Sequence, residues 1–143
     1  MSEKTAYLFD SDAISEPFKK RPLPTFLSWL VAIPLDRQFT SAVVVGELYS
    51  GAYRQRAAER LVTVIEERIL PYVTILPYDV AVARVFGRLD AELQDAGTPL
   101  AAPDLQIAAT ALHYDHELVT GNLRHLERVP GLRLSRALAD ARH

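Results

Sequence analysis

The stretch Tyr7-Leu-Phe-Asp10-Ser-Asp12-Ala-Ile-Ser15 decides how this chain folds. Three apolar residues lead into Asp10, Asp12 stands two positions later, and helix-compatible sequence follows. A short apolar run of this kind predicts a buried strand. Its last residue then emerges at the carboxyl edge of a sheet, where open parallel sheets bind ligands. A carboxylate is costly to bury alone, so Asp10 calls for a cation, a donor network or water. A plainer role is equally open: Asp10 caps the next helix and Asp12 is solvated.

Working outward, residues 6–9 are the first strand, and a helix begins at 13–16 until Pro17 stops or bends it. Lys19, Lys20 and Arg21 form a basic cluster. Pro22 and Pro24 lead into an amphipathic helix, Thr25 to Ala32, ending before Pro34. Arg37 to Thr40 is a second strand. Ser41 suits the N-cap of a helix over 42–54, and another spans 57–69 before Pro71. Val73 to Leu76 is a third strand. Asp79 caps a long helix through Leu93, with Gly97 as its C′ residue. After the loop Thr98–Ala102, Pro103 starts a helix running from Asp104 to about Tyr114. Glu117 to Thr120 is the fourth strand, 122–126 a helical turn, and Leu132 to Leu134 a fifth strand. Strands alternate with helices, without a repeat or linker. The expectation is one α/β domain over 1–143, a small, mostly parallel central sheet flanked by helices, with its core at about 6–134 and a loose C-terminal tail.

Length and composition narrow the function. A chain of 143 residues, 49% hydrophobic and 24% charged, has the makeup of a globular domain able to bury a sizeable core. A net charge of −2 announces no polyanion partner, so nucleic-acid binding requires a local basic patch. The absence of cysteine excludes disulfides, thiolate nucleophiles and zinc–thiolate sites. Residues 1–5 lack the pattern of a signal peptide, and no apolar run approaches the roughly 18 residues of a membrane span. A cytoplasmic location is the resulting expectation.

Two further carboxylates stand out. Glu47 shares a helix face with Val43 and Val44; either it is buried and needs a partner for its charge, or it reaches water at the edge of the stripe. Asp104 sits in the first turn of a helix, where the dipole favours an acid. The small apolar run behind it, Leu105 to Leu112, also lets that helix pack closely on the sheet and hold Asp104 at the same edge as Asp10. Thr120 and Asn122 follow the fourth strand and offer neutral oxygens there. The histidines are less promising: His113 and His116 straddle a helix end, His125 is alone and His143 is terminal. Asp10, Glu47 and Asp104 together would make an all-oxygen, net-negative pocket suited to Mg²⁺ or Mn²⁺. Such ions serve phosphoryl chemistry by polarising phosphate and generating hydroxide.

The order of these motifs resembles a family. The strand ending in Asp10-Ser-Asp12 is followed by Ser41-Ala-Val-Val-Val-Gly-Glu47-Leu-Tyr-Ser-Gly51, then Pro103-Asp104-Leu-Gln-Ile-Ala-Ala109, then Leu118-Val-Thr-Gly-Asn122-Leu-Arg-His-Leu-Glu-Arg-Val-Pro-Gly-Leu132. Each motif is weak alone; the four in order are similar to PIN-domain ribonucleases of the VapC toxin type, over about residues 6–134. The resemblance implies a PIN-like fold and a Mg²⁺- or Mn²⁺-dependent endoribonuclease, usually dimeric and neutralised by a cognate VapB-like antitoxin. Carried over by position, Asp10, Glu47 and Asp104 are its acidic metal-site residues, Asn122 a weaker ligand, and Asp12 and Thr120 outer partners. The family often has aspartate where Asn122 stands, which puts a tightly bound second metal in doubt. RNA would meet Lys19, Lys20 and Arg21 after the first motif, and Arg124, Arg128, Arg133 and Arg136 after the last. The resemblance also implies an antitoxin segment anchored on large apolar residues, at the Phe26, Trp29 and Leu30 helix and the helix around Leu48 and Tyr49, unless these fill the core or a homodimer interface.

Two competing functions are weighed beside it. Phe9-Asp-Ser-Asp12 is also similar to the nucleophile motif of haloacid-dehalogenase-like phosphatases. Those enzymes use a downstream lysine, and every lysine here precedes residue 21. The other is a PIN-like module that binds a partner without catalysis, which Asn122 permits and the three acids oppose.

Overall fold

The structure, a computed structural model, describes residues 4–143. Part of the leader-peptide expectation falls on residues 1–3 and lies outside the described residues. Five strands form one sheet: β1 (Tyr7–Phe9), β2 (Gln38–Ser41), β3 (Thr74–Leu76), β4 (Glu117–Val119) and β5 (Leu134–Ser135). Their order is β3-β2-β1-β4-β5 and every pairing is parallel. Parallel neighbours need crossovers, and the helices supply them. α1 (Ser11–Ser15) and α2 (Pro24–Val31) join β1 to β2. α3 (Ala42–Tyr53) and α4 (Ala58–Val64) join β2 to β3. α5 (Val80–Asp95) and α6 (Ala102–His113) join β3 to β4, and α7 (Leu123–Leu126) joins β4 to β5. α8 (Ala137–Ala141) ends the chain.

The strand order fixes where a ligand can enter. The chain builds outward from β1 through β2 to β3, then returns to the opposite side of β1 with β4. The carboxyl ends of β1 and β4 therefore flank a topological switch point, the position of the binding crevice in open α/β sheets. Asp10 N–H donates to Val119 O at 3.1 Å across this gap.

Burial explains why the strands read so clearly. Tyr7, Leu8, Phe9, Leu118 and Val119 are all buried, as strands covered on both faces must be. α6 packs its small face, Ala108, Ala109 and Ala111, into the core beside Leu105 and Ile107. The aromatics of α2 pack inward, Phe26 within the core and Trp29 partly buried against it. Phe26 is fully buried, and the Trp29 ring stands edge-on to Tyr7 and Phe9 with centroids 5.2 and 6.4 Å away.

Other expectations shift for physical reasons. Pro17 does not end a helix abruptly; it sits in a 3-10 turn, Glu16–Phe18, that continues α1. The helix over 57–69 is α4 followed by a π-helical turn, Ile65–Ile69. β5 begins at Leu134, because the turn through Gly131, at φ +79°, delays pairing with β4 until Leu118 meets Leu134. The tail beyond residue 134 is not loose. It forms α8, which packs on α2 and buries Leu138 completely. Among the described residues no helix is long and apolar enough to cross a membrane.

Candidate active site

Three different elements bring carboxylates to the switch point. Asp10 follows β1 directly. Its extended backbone, φ −77° and ψ −179°, turns the chain into α1, and its Oδ1 accepts from Ala13 N–H at 2.9 Å. The capping role and the role as a cavity acid are thus filled by one residue: Oδ1 caps α1 while the carboxylate lines the cavity. Glu47 comes from α3, which Ser41 starts by accepting from Val44 N–H at 3.1 Å. Asp104 stands in the first turn of α6, which begins at Ala102, one residue before Pro103. Asn122 is the N-cap residue of α7, one turn beyond β4.

These side chains line one cavity of about 400 Å³, together with Ser11, Asp12, Ile107, Gly121 and Arg142. Glu47 is half-buried, at the edge of its apolar stripe, and Oε1 accepts from the Ser11 hydroxyl at 2.7 Å. Asn122 Oδ1 pairs with His125 Nδ1 at 2.7 Å. Thr120 is fully buried beneath the cavity. Its hydroxyl oxygen accepts from Asn122 N–H at 2.9 Å, which directs its proton to the Asp10 carboxylate. Asp12 faces solvent, and Arg142 Nη2 approaches its Oδ2 at 3.7 Å.

The electrostatics set Asp10 apart. Burial pushes its carboxyl from 3.8 up to about 6. The hydrogen bonds from Thr120 and Ala13 pull it down, and the charges of Asp12 and Asp104 add to the rise. A desolvated carboxylate facing other carboxylates is a site short of positive charge. The donors are all oxygen, which suits a hard divalent ion. Among the described residues no three His, Asp or Glu side chains stand close enough to enclose one ion, and Glu47 is turned to Ser11. The set therefore fits an ion that keeps several waters and takes one or two protein carboxylates, as Mg²⁺ does.

The structure separates His116 and Arg133 from this cavity. His116 packs on Phe39 at 4.4 Å, at the amino edge of the sheet, and Arg133 pairs with Asp115 at 2.9 Å there. Sequence reasoning missed Ser11, Gly121, Ile107 and Arg142. Ser11 was discoverable, because it lies between two acids at a strand–helix turn. Arg142 carried no signal, since it belongs to the segment expected to be loose.

Comparison with known proteins places these features in a wider set. The PIN domain family model matches residues 7–132. The chain is 35% identical over 127 residues to ribonuclease VapC2 of Haemophilus influenzae, covering 89% of this chain and 94% of that one. It is 37% identical over 99 residues to the tRNA(fMet)-specific endonuclease VapC of Salmonella typhimurium, covering 69% and 74%. Its fold superposes on the crystal structure of DNA-bound VapBC from Salmonella typhimurium with a TM-score of 0.80, at 30% identity over 92% of this chain and 97% of that one.

Proposed function

The chain belongs to the PIN-domain family, and from that premise we propose that it is a Mg²⁺- or Mn²⁺-dependent endoribonuclease, the toxin of a toxin–antitoxin pair. The observation that carries this reading is the convergence of Asp10, Glu47 and Asp104, from three separate elements, on one cavity at the switch point. The relatives named above as a ribonuclease and a tRNA-specific endonuclease support RNA as the substrate.

In this reading Asp10 and Asp104 hold the ion, and Asn122 lends a weaker neutral oxygen. When bound, the ion would supply Lewis acidity and a water of lowered pKa. Thr120 fixes the Asp10 carboxylate through the hydrogen bond it donates. Ser11 orients Glu47 through Oε1, which leaves Oε2 to accept a proton from water. Hydrolysis joins the water oxygen to phosphorus, breaks the bond to the leaving ribose oxygen, and returns a proton to that oxygen. Asp12 acts from outside the ion's immediate ligands.

The protein would work in the cytoplasm as a homodimer, held in check by a VapB-like antitoxin. The VapBC structure it resembles supports such a partner. An apolar groove lined by Leu48, Ala52, Leu61, Val64, Ile65 and Ile69 opens beside Ser15 and Phe18. α1 links this groove to Ser11 and Asp12 at the acidic cavity, so one bound segment could cover both.

Cleavage of total bacterial RNA in Mg²⁺ or Mn²⁺ tests the reading. The parent chain should cut, and Asp104→Asn should not while keeping its circular dichroism. Undiminished cleavage in excess EDTA would remove the metal from the mechanism.

A further inference from the structure

α8 gives the cavity a positive charge that the family motifs do not include. Arg142 is the residue just after this helix, and its N–H donates to Leu138 O and Ala139 O at 3.2 Å each. Leu138 is fully buried against the fold, so the arginine's backbone is anchored at the cavity wall. The side chain crosses Gly121, and a Cβ on Gly121 would overlap Arg142 Nη1. Its guanidinium lines the cavity formed by Asp10, Glu47 and Asp104.

Two roles are open to an arginine among carboxylates. As a structural counter-ion it would take a short, two-pronged pair. Its contact with Asp12 is instead a single one at 3.7 Å, beyond hydrogen-bond reach, and the Asp12 side chain is 67% exposed. Such a pair contributes little to stability. Buried Glu16, whose charge the guanidinium also favours, already has Lys19 at 3.0 Å and the Leu23 N–H as partners. As an anion-binding group it meets a clear need. Four carboxylates against one divalent ion leave the cavity negative, which repels an incoming phosphodiester. A planar guanidinium matches the non-bridging oxygens of a phosphate, and the missing side chain at Gly121 leaves it room to reach them.

We propose that Arg142 binds the phosphate of the RNA strand at the acidic cavity, leaving its loose contact with Asp12 to do so. The inference rests on the ribonuclease reading given above. Gly121 then serves as the gap through which the guanidinium reaches the phosphate, and Asp12 as its resting partner.

The test is the initial rate of tRNA cleavage by the full chain in Mn²⁺, over a range of RNA and salt concentrations. Arg142→Gln should raise KM at least tenfold with kcat changed less, and the slope of log KM against log salt should fall by about 1. Arg142→Lys should recover part of the loss. Gly121→Ala, which pushes the guanidinium aside, should reproduce it. Neither a merely structural role nor a destabilised fold predicts that salt slope with rescue by lysine. A parent that cuts RNA while Arg142→Gln retains its KM and slope overturns this inference alone. Faster cleavage by Arg142→Gln, as for a residue that blocks the cavity, also overturns it. A parent that neither binds nor cuts RNA overturns the reading beneath it as well.

Discussion

Asp10 should make the folded chain less stable than it could be, and Asp10→Asn measures by how much. The folded protein holds a proton on this carboxyl up to about pH 6, whereas the unfolded chain releases it near 3.8. Between those values the native state binds more protons than the unfolded one, so stability falls as pH rises through the window. At about 1.4 kcal/mol per tenfold shift, the full effect is about 3 kcal/mol, present above pH 6 and absent below 4. Asparagine removes the charge and keeps the cap, since it can still accept from Ala13 N–H, 2.9 Å from Oδ1, and caps as well as aspartate. In EDTA at pH 8, Asp10→Asn should therefore unfold at higher urea than the parent. With a slope of roughly 2 kcal/mol per molar, the midpoint moves by about 1.5 M. At pH 4 the two proteins should coincide. Mn²⁺ should nearly cancel the difference: at 100 times its dissociation constant the ion adds about 2.7 kcal/mol to the parent and little to the variant. An Asp10→Asn protein no more stable than the parent at pH 8, or a difference that persists unchanged at pH 4, would refute the burial argument.

Two further outcomes probe the same cavity. Asn122→Asp adds a charge where a neutral oxygen stands and should lower the Mn²⁺ concentration for half-maximal cleavage, while Asn122→Ala should raise it; a metal titration in which neither moves removes Asn122 from the site. Ser11→Ala deletes the donor that holds Glu47 Oε1 at 2.7 Å, so Glu47 is free to turn to the ion, and the same titration should show tighter Mn²⁺ with slower turnover. Unchanged turnover would mean that Ser11 does not orient Glu47.

The sheet was legible because its signals are local. Tyr7 to Phe9 and Leu118 to Val119 are continuous apolar runs, as doubly covered strands must be. Ser41 and Asp79 announce α3 and α5 by capping, and both caps form, at 3.1 Å each. Strand order was not legible, because it depends on which side of β1 the α5–α6 crossover returns, and no single residue encodes that. The weakest element, β5, was misplaced by two residues for a related reason. A two-residue edge strand is defined by its partner's ladder, and little in its own sequence marks the start.

The site divides along the same line. Asp10, Glu47, Asp104 and Asn122 each sit at the end or first turns of an element, so reading the elements also placed the acids at one edge of the sheet. Arg142 depended on something different. The segment Ala137 to Ala141 has one large apolar residue, Leu138, which gives no periodic stripe to read. Only tertiary contact with α2 turns that leucine into an anchor, and only the anchor brings Arg142 over Gly121. On the proposed reading, a cavity that holds a cation among four carboxylates repels the phosphate to be cut, so a positive group has to come from outside the acidic motifs. The proposed group, Arg142, comes from the end of the last helix, a part that a motif comparison ending at residue 132 leaves out.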